Sequence, residues 1–495
     1  MTKGEASKGR IDPELWNAFE AAAATGGALC ARGGDPSRWI AEEWSAAGIS
    51  IDTRTLKPGD IFVALRDARD GHEFLNNAFE AGAAAALVAR APDDAPEGAP
   101  LLVVGDTLEG LRDLAKAARL RNFGKRIAVT GSAGKTSTKE ILRAILSSAG
   151  TVHAADKSFN NHWGVPLTLA RLPMHSEFGV FEIGMNHPGE ITPLTELVRP
   201  HAAIVTTVAA AHLEFFKSVE EIAEAKAEIF SGLACGGVAV LPFDNDYFEL
   251  LKKRAEQAGA ASFVTFGEKD GADFQLLHYQ ADGAGARLEV RIKGKEREFS
   301  VGIPGRHQAL NMLAALAAAD AVGAPLEPAI DALSSVTPAE GRGARSEIEV
   351  EGGTATLIDE SYNANPASMT AAIGLLGATA PQGNGRRIAI LGEMLELGPE
   401  GPELHKILEK ALVAARVDRV YAAGKLMRHL WDELPADTRG LYTDDAVGMV
   451  GPVLDAVSPG DIVMVKGSNA SKVSAVARAL KERSSNRNEE KESRA

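Results

Sequence analysis

Short apolar runs recur along the chain at the length of buried strands. Early ones are Asp60–Leu65, Ala86–Ala89 and Leu101–Val104. Central ones are Arg126–Thr130, Phe178–Ile183, Ala203–Val208 and Val238–Pro242. Late ones are Thr354–Asp359, Arg387–Leu391, Arg419–Ala423 and Asp461–Lys466. Between them, apolar residues return at helical spacing, as over Leu75–Gly82, 219–233 and His307–Val322. Strands alternating with helices predict parallel sheets. The stretch Phe274–Val301 alternates apolar and polar residues and is rich in turn formers, which predicts an antiparallel insertion.

These changes of pattern divide the chain into three α/β blocks. A small N-terminal α/β domain spans 15–123. A central domain with a mostly parallel sheet, P-loop-like in its opening strand, glycine turn and helix, spans 124–342. A C-terminal Rossmann-like domain spans 343–482. Three domains suit a chain of 495 residues. The ends, 1–14 and 483–495, are small, polar or charged, and read as disordered because they bury too little to offset their ordering entropy.

Charge and cysteine content narrow the classes. There are 53 Lys and Arg against 67 Asp and Glu, a net charge of −14, which disfavours general nucleic-acid or membrane-surface binding. A local cradle of donors still allows a phosphate ligand. Cys30 and Cys235 read as buried thiols with no disulfide framework or metal spacing. Met1–Pro13 has no apolar core of a signal peptide, and the apolar run Ala202–Ala211 is too short and Thr-interrupted to cross a bilayer. A cytoplasmic chain without membrane insertion is the expectation.

The sharpest local signal is the strand ending at Thr130, followed by Gly131-Ser132-Ala133-Gly134-Lys135-Thr136-Ser137 and a helix. Two glycines let the backbone turn so that its N–H groups face a phosphate, and the helix N-terminus adds its dipole. Lys135 has the reach for β/γ-phosphates, and the Thr136 hydroxyl suits Mg²⁺. Val129 stands where the longer P-loop pattern has its first glycine, so this is the shorter G-x-x-G-K-T form.

Three residues are candidates for a metal centre. Glu182 ends an apolar strand, where a carboxylate needs either an ion pair or a metal. His212 follows the next strand, on the side where open α/β sheets bind ligands; a structural histidine is the other reading. On the segment 219–233, Lys226 lines up with Ile222, Ile229 and Leu233 on the apolar stripe. It snorkels to water, pairs with an acid, or loses its proton and takes up CO₂ as a carbamate, an oxygen ligand for Mg²⁺.

Further along, His307 and Asn311 share one helix face, either as ordinary polar surface or with the Asn amide against an adenine edge. Asp359 ends a strand and suits a ribose. Asn365-Pro366 reads as a helix N-cap with proline at the first helical position. Arg342 precedes the third block and Lys466 ends a later strand; both suit a carboxylate or phosphate.

Together these segments resemble the Mur ligase family over about Leu15 to Leu480. The shared marks are the phosphate turn, Asn160-Asn161 with the following His-Trp-Gly-Val-Pro-Leu, Glu182-Ile-Gly-Met-Asn-His-Pro-Gly-Glu-Ile, His212, and Lys226-Ala-Glu-Ile-Phe. Marks of the branch whose acceptor is D-alanyl-D-alanine are Asp52-Thr53-Arg54, Asp70-Gly-His-Glu-Phe, Ser361-Tyr362-Asn363-Ala-Asn365-Pro366, and Leu391-Gly-Glu-Met-Leu-Glu-Leu-Gly with His405.

The resemblance implies an ATP-dependent ligase acting through an acyl phosphate, with Mg²⁺ and a carbamylated Lys226. It implies a monomer that takes UDP-N-acetylmuramoyl-tripeptide and D-alanyl-D-alanine. Lys135, His212 and Lys226 would carry catalysis. Gly131, Ser132, Gly134, Lys135, Thr136, Ser137, Asn311, Arg342 and Asp359 would hold ATP. Thr136, Glu182, His212 and Lys226 would hold the metal. Thr53 and Arg54 would bind the UDP end in the first domain. Asn160, Asn161, Tyr362, Asn363 and Lys466 would contact the substrates. Thr53 stands where the family has Ser, and Asn469 where it has Arg. Two other functions fit parts of the pattern: a related ligase with a single amino acid as acceptor, and a P-loop ATPase that serves as a switch or motor.

Overall fold

The computed structural model describes residues 14–31, 44–93, 95–156, 158–282 and 285–492. It divides into two compact units. One comprises the chain up to Arg126 with Gly150–Ile183 and Glu196–Arg199. The other comprises Ile127–Ala149, Gly184–Thr195 and the chain from Pro200 onward.

In the first unit, five strands lie in the order Ala28–Ala31, Pro100–Val103, Ala85–Val88, Asp60–Val63, Gly48–Ser50. The first pair is antiparallel and the rest are parallel. Ile61, Phe62, Val63 and Ala85 to Val88 are all buried, which is why these strands read as continuous apolar runs. The helix Thr107–Arg121 starts where Asp106 accepts from the Leu108 and Glu109 N–H groups. It buries Leu111, Leu114, Ala115 and Ala118. The Asp70–Phe74 mark proves structural. Asp70 bonds the His72 backbone N–H, and buried His72 accepts from the Ala89 N–H through Nε2 at 2.9 Å. This unit also holds the parallel strands Val152–Ala154 and Phe178–Glu182.

In the second unit, Ile127–Thr130, the later part of the strand Lys125–Thr130, pairs in parallel with Ala202–Val205. The hydrogen-bonded order continues through Val238–Pro242, Ser262–Gly267, Phe274–Asp282, Gly285–Ile292 and Lys295–Val301. The last three are the antiparallel insertion expected over Phe274–Val301. A second sheet has the order Ala344–Val350, Gly353–Glu360, Ile462–Lys466, Arg387–Gly392, Arg419–Ala423, Arg439–Thr443. Its first pair is antiparallel and the others parallel. The strand Arg387–Gly392 feeds two cores by simple alternation. Ala389 and Leu391 meet Met369, Ile373 and Leu376, while Ile388 and Ile390 meet Met449, Val463 and Val476.

Several expectations need correction. The helix expected over 219–233 is α-helical only for Val219–Ala227 and tightens to a 3₁₀ turn over Glu228–Gly232. The strand expected to reach Val208 stops at Val205, because Thr206 and Thr207 take up bonds to the phosphate turn. The tail expected to be disordered from 483 is instead helical, within Ser474–Glu492. Ser484 is buried and its Oγ accepts from the Glu349 N–H at 2.8 Å, and Arg483 donates to the Leu454 carbonyl, so tertiary bonds supply what composition lacks. The expected disorder of 1–14 falls almost wholly outside the described residues. Cys30 is half-buried and Cys235 is exposed, against the expectation of two buried thiols. Among the described residues, no helix is long and apolar enough to cross a membrane.

Candidate active site

The phosphate turn is built by backbone conformation first. Gly131 (φ 152°) and Gly134 (φ 83°) adopt angles that L side chains rarely take. Space excludes a side chain as well. A Cβ at Gly131 would lie 1.9 Å from Thr206 Oγ1, and one at Gly134 would lie 2.5 Å from Asn311 Oδ1. The Ser132 N–H donates to the Thr207 carbonyl at 2.9 Å, Ser132 Oγ to the Ala209 carbonyl at 2.9 Å, and Thr206 Oγ1 to the Ala133 carbonyl at 2.5 Å. The turn is thereby stitched to the loop after Ala202–Val205. Lys135 opens the helix Lys135–Leu146, and its Nζ donates to the Gly131 carbonyl at 2.6 Å. Thr136 and Ser132 are buried.

Asn311 lies on the helix Arg306–Ala321, beside the phosphate turn, with its Nδ2 bonded to Gln308 Oε1 at 3.1 Å. Burial holds the neighbouring His307 below the usual histidine range. Lys226 is 2 % exposed. Burial, reinforced by the like charge of Lys135, drives its pKa well below the ordinary lysine value. A lysine so shifted gives up its proton more readily, which favours the nucleophilic amine. His212 sits in the left-handed region (φ 58°) beyond the end of the central strand.

Among the described residues, no three His, Cys, Asp or Glu side chains converge as a metal site. Thr136 stands in the first turn of the helix Lys135–Leu146, and Mg²⁺ needs few protein ligands where nucleotide phosphates supply the rest. The neutral-leaning Lys226 amine is chemically fit to become a further oxygen donor. In the first unit, Glu182 is buried at the end of Phe178–Glu182, and Asn160 Nδ2 donates to its Oε1 at 2.8 Å. Asn161 instead caps a turn, its Oδ1 accepting from the Gly164 N–H at 2.9 Å. Arg54 is exposed and its guanidinium pairs with Asp52 at 2.6 Å, beside half-buried Thr53.

The third block brings its candidates to the carboxyl ends of its own strands. Asp359 is buried, accepts from Ser361 Oγ at 2.6 Å and pairs with Lys481 at 2.6 Å. The Arg342 guanidinium stacks 4.0 Å from the Tyr362 ring centroid. Lys466 donates to the Asn363 carbonyl at 2.9 Å and lies 3.6 Å from Glu360. Asn365 caps the helix Pro366–Ala378 through a capping box, as expected, and its Nδ2 also donates to the Ser132 carbonyl at 2.9 Å. That bond links the third block to the phosphate turn. Neither that bond nor the Thr206 stitch shows in the local sequence, since both depend on which loops meet. Asn469 is exposed at the start of a 3₁₀ turn.

A phosphate turn at the end of a parallel sheet, a desolvated lysine beside it and a second α/β sheet bonded to that turn define a nucleotide-dependent enzyme of the Mur ligase class. The Mur ligase middle domain family matches residues 129–319, and the Mur ligase, glutamate ligase domain family matches 344–469. The chain belongs to the Mur ligase family. It is 35% identical to the UDP-N-acetylmuramoyl-tripeptide--D-alanyl-D-alanine ligase of Bacillus subtilis over 88% of this chain and 93% of that one. The ligase of the same name from Escherichia coli is also 35% identical, with the same shares covered. Among solved structures, MurF from Acinetobacter baumannii superposes with a TM-score of 0.80 at 28% identity, covering 94% of this chain and 99% of that one. MurF ligase from Thermotoga maritima in complex with ADP gives 0.74 at 27% identity, covering 89% and 98%. The fold is the α/β, three-domain Mur ligase architecture.

Proposed function

We propose that this chain is an ATP-dependent ligase that joins D-alanyl-D-alanine to UDP-N-acetylmuramoyl-tripeptide for peptidoglycan synthesis, releasing ADP and phosphate. The observation that carries this reading is the branch-specific third block, whose Ser361–Pro366 segment bonds to the phosphate turn through Asn365. The relatives' names and their coverage supply the substrate pair. In this reading 15–123 bind the UDP end, 124–342 bind ATP and 343–482 receive the dipeptide. The protein acts as a cytoplasmic monomer.

The chemistry follows from charge. The tripeptide carboxylate attacks the γ-phosphorus of ATP, the bond to ADP breaks, and an acyl phosphate forms. Lys135, the turn's N–H groups and the helix N-terminus offset the negative charge that crowds this end. Thr136, Glu182 and His212 would hold Mg²⁺, which would supply positive charge against the phosphates. The neutral Lys226 amine adds to CO₂ and sheds a proton to solvent, giving a carbamate as a further ligand. The dipeptide amine then attacks the acyl carbon, loses a proton, and phosphate leaves. Asn311, Arg342 and Asp359 contact ATP; Thr53, Arg54, Asn160, Asn161, Tyr362, Asn363 and Lys466 contact the other substrates. Docking of the third block excludes water that would hydrolyse the acyl phosphate.

The test is phosphate release with ATP, Mg²⁺ and UDP-muramoyl-tripeptide, with and without D-alanyl-D-alanine. Dipeptide-dependent release with a pentapeptide product by mass spectrometry supports the reading. Turnover only with a single amino acid would move the function to another ligase of the family.

A further inference from the structure

The segment Leu391–Gly398 marks the family branch, but the chemistry above gives it no part. Its backbone is braced at several points. The Met394 N–H donates to Nε2 of fully buried His405 at 3.0 Å, and His405 Nδ1 donates to the Gly401 carbonyl at 2.6 Å. The Leu395 N–H donates to Ser468 Oγ at 3.0 Å, the Ser468 N–H to the Glu393 carbonyl at 2.9 Å, and the Leu426 N–H to Glu393 Oε1 at 2.7 Å. The turn so held carries Glu396 with φ 61°. A non-glycine residue keeps that conformation only where its surroundings impose it.

Glu396 faces His212, which is also left-handed at φ 58°. Glu396 Oε2 lies 2.6 Å from His212 Nδ1. The Glu396 carbonyl accepts from the Glu214 N–H at 3.1 Å. Gly398 seats on the same stretch, since a Cβ there would come within 3.2 Å of Glu214 Cα. A carboxylate only accepts, so Nδ1 carries a proton, and in the neutral ring it is then Nε2 that offers the lone pair. A carboxylate behind a histidine is the usual way to fix the tautomer and ring direction of a metal ligand.

We infer that Glu396 is a positioning residue for His212, delivered by the third block to the end of the central sheet. The bond prepares His212 Nε2 for Mg²⁺ only when the Leu391–Gly398 turn is seated. Metal affinity and docking of the third block are therefore coupled through one hydrogen bond. This rests on the reading of His212 as a metal ligand.

The experiment titrates Mn²⁺ into the full chain with a non-hydrolysable ATP analogue, reading bound Mn²⁺ by electron paramagnetic resonance. Glu396→Ala is expected to weaken Mn²⁺ binding about tenfold or more. Glu396→Gln, which keeps an acceptor, restores part of it. The double variant Glu396→Ala/His212→Ala should bind no more weakly than His212→Ala alone. Unchanged Mn²⁺ affinity in Glu396→Ala, with His212→Ala weakened, overturns the inference and leaves His212 a ligand. Unchanged affinity in His212→Ala overturns the ligand reading itself. Circular dichroism of each variant separates misfolding from loss of the site, and a folded Glu396→Gln with intact affinity but a folded Glu396→Ala without it still supports the role.

Discussion

Lys226 and Lys466 are equally buried, each 2 % exposed, yet their surroundings differ. Lys226 stands on a short helix with the like charge of Lys135 acting on it, so both burial and Coulomb repulsion push its proton off. Lys466 ends a strand beside Glu360 and donates to the Asn363 carbonyl; burial lowers its pKa, Glu360 works against that shift, and the more weakly acting Arg342 adds to it. Burial lowers the pKa of both, but only Lys466 has a carboxylate beside it that opposes the shift. Burial alone assigns no role to a lysine; the sign of the neighbouring charge does.

The largest effect should come from Lys135, the residue proposed to meet the phosphates. Lys135→Ala is expected to lower kcat by about a thousandfold, as loss of a donor to developing charge does. Phosphate release measures it, and near-normal turnover would end the ligase assignment. The comparison between the two buried lysines breaks or holds on methionine substitutions. Lys226→Met removes a poorly solvated amine, so thermal stability should hold or rise while activity falls by about a hundredfold, with partial rescue by added short carboxylates. Lys466→Met strands the Glu360 carboxylate and should cost roughly 3 kcal/mol in urea unfolding, since breaking a buried pair leaves an uncompensated charge. Adding Glu360→Gln should recover part of that loss. If the two methionine variants lose the same stability, the contrast fails.

Smaller effects sharpen the picture. Asn365→Ala removes a capping box and the bond to Ser132, and should cost about 1 kcal/mol from the cap. A rise in the KM for ATP would show the second bond acting as well. Burial holds His405 below the usual histidine pKa of 6.5. Its neutral form is the one that both donates to Gly401 and accepts from Met394. The fold then binds fewer protons than the unfolded chain. This contribution is complete above about pH 6.5 and lost as pH falls toward the depressed value. Denaturant midpoints between pH 7.5 and 5.5 should decline less in His405→Gln than in the parent; equal slopes would contradict it.

Much of this was legible along the chain. The Gly131–Thr136 turn is local, since strand, glycines and helix start are contiguous, and Asn365-Pro366 capped its helix as the pattern predicted. Lys226 announced itself by standing on an apolar stripe, and it is buried. What stayed hidden involves partners far apart in sequence. Nothing near Glu396 points to His212, nothing near Asn365 points to Ser132, and the polar tail around Ser484 gave no hint that Glu349 would anchor it.

The sequence by itself determined the alternating α/β pattern, the phosphate turn and the residue types that suit ATP and Mg²⁺, because these rest on short-range sterics and on side-chain periodicity. Only the tertiary structure decided which buried lysine has a carboxylate beside it, which histidine gained a carboxylate and that the chain around Ser484 is helical. Those outcomes depend on burial and on hydrogen bonds between distant segments, whose strength is set by the surroundings that folding brings together.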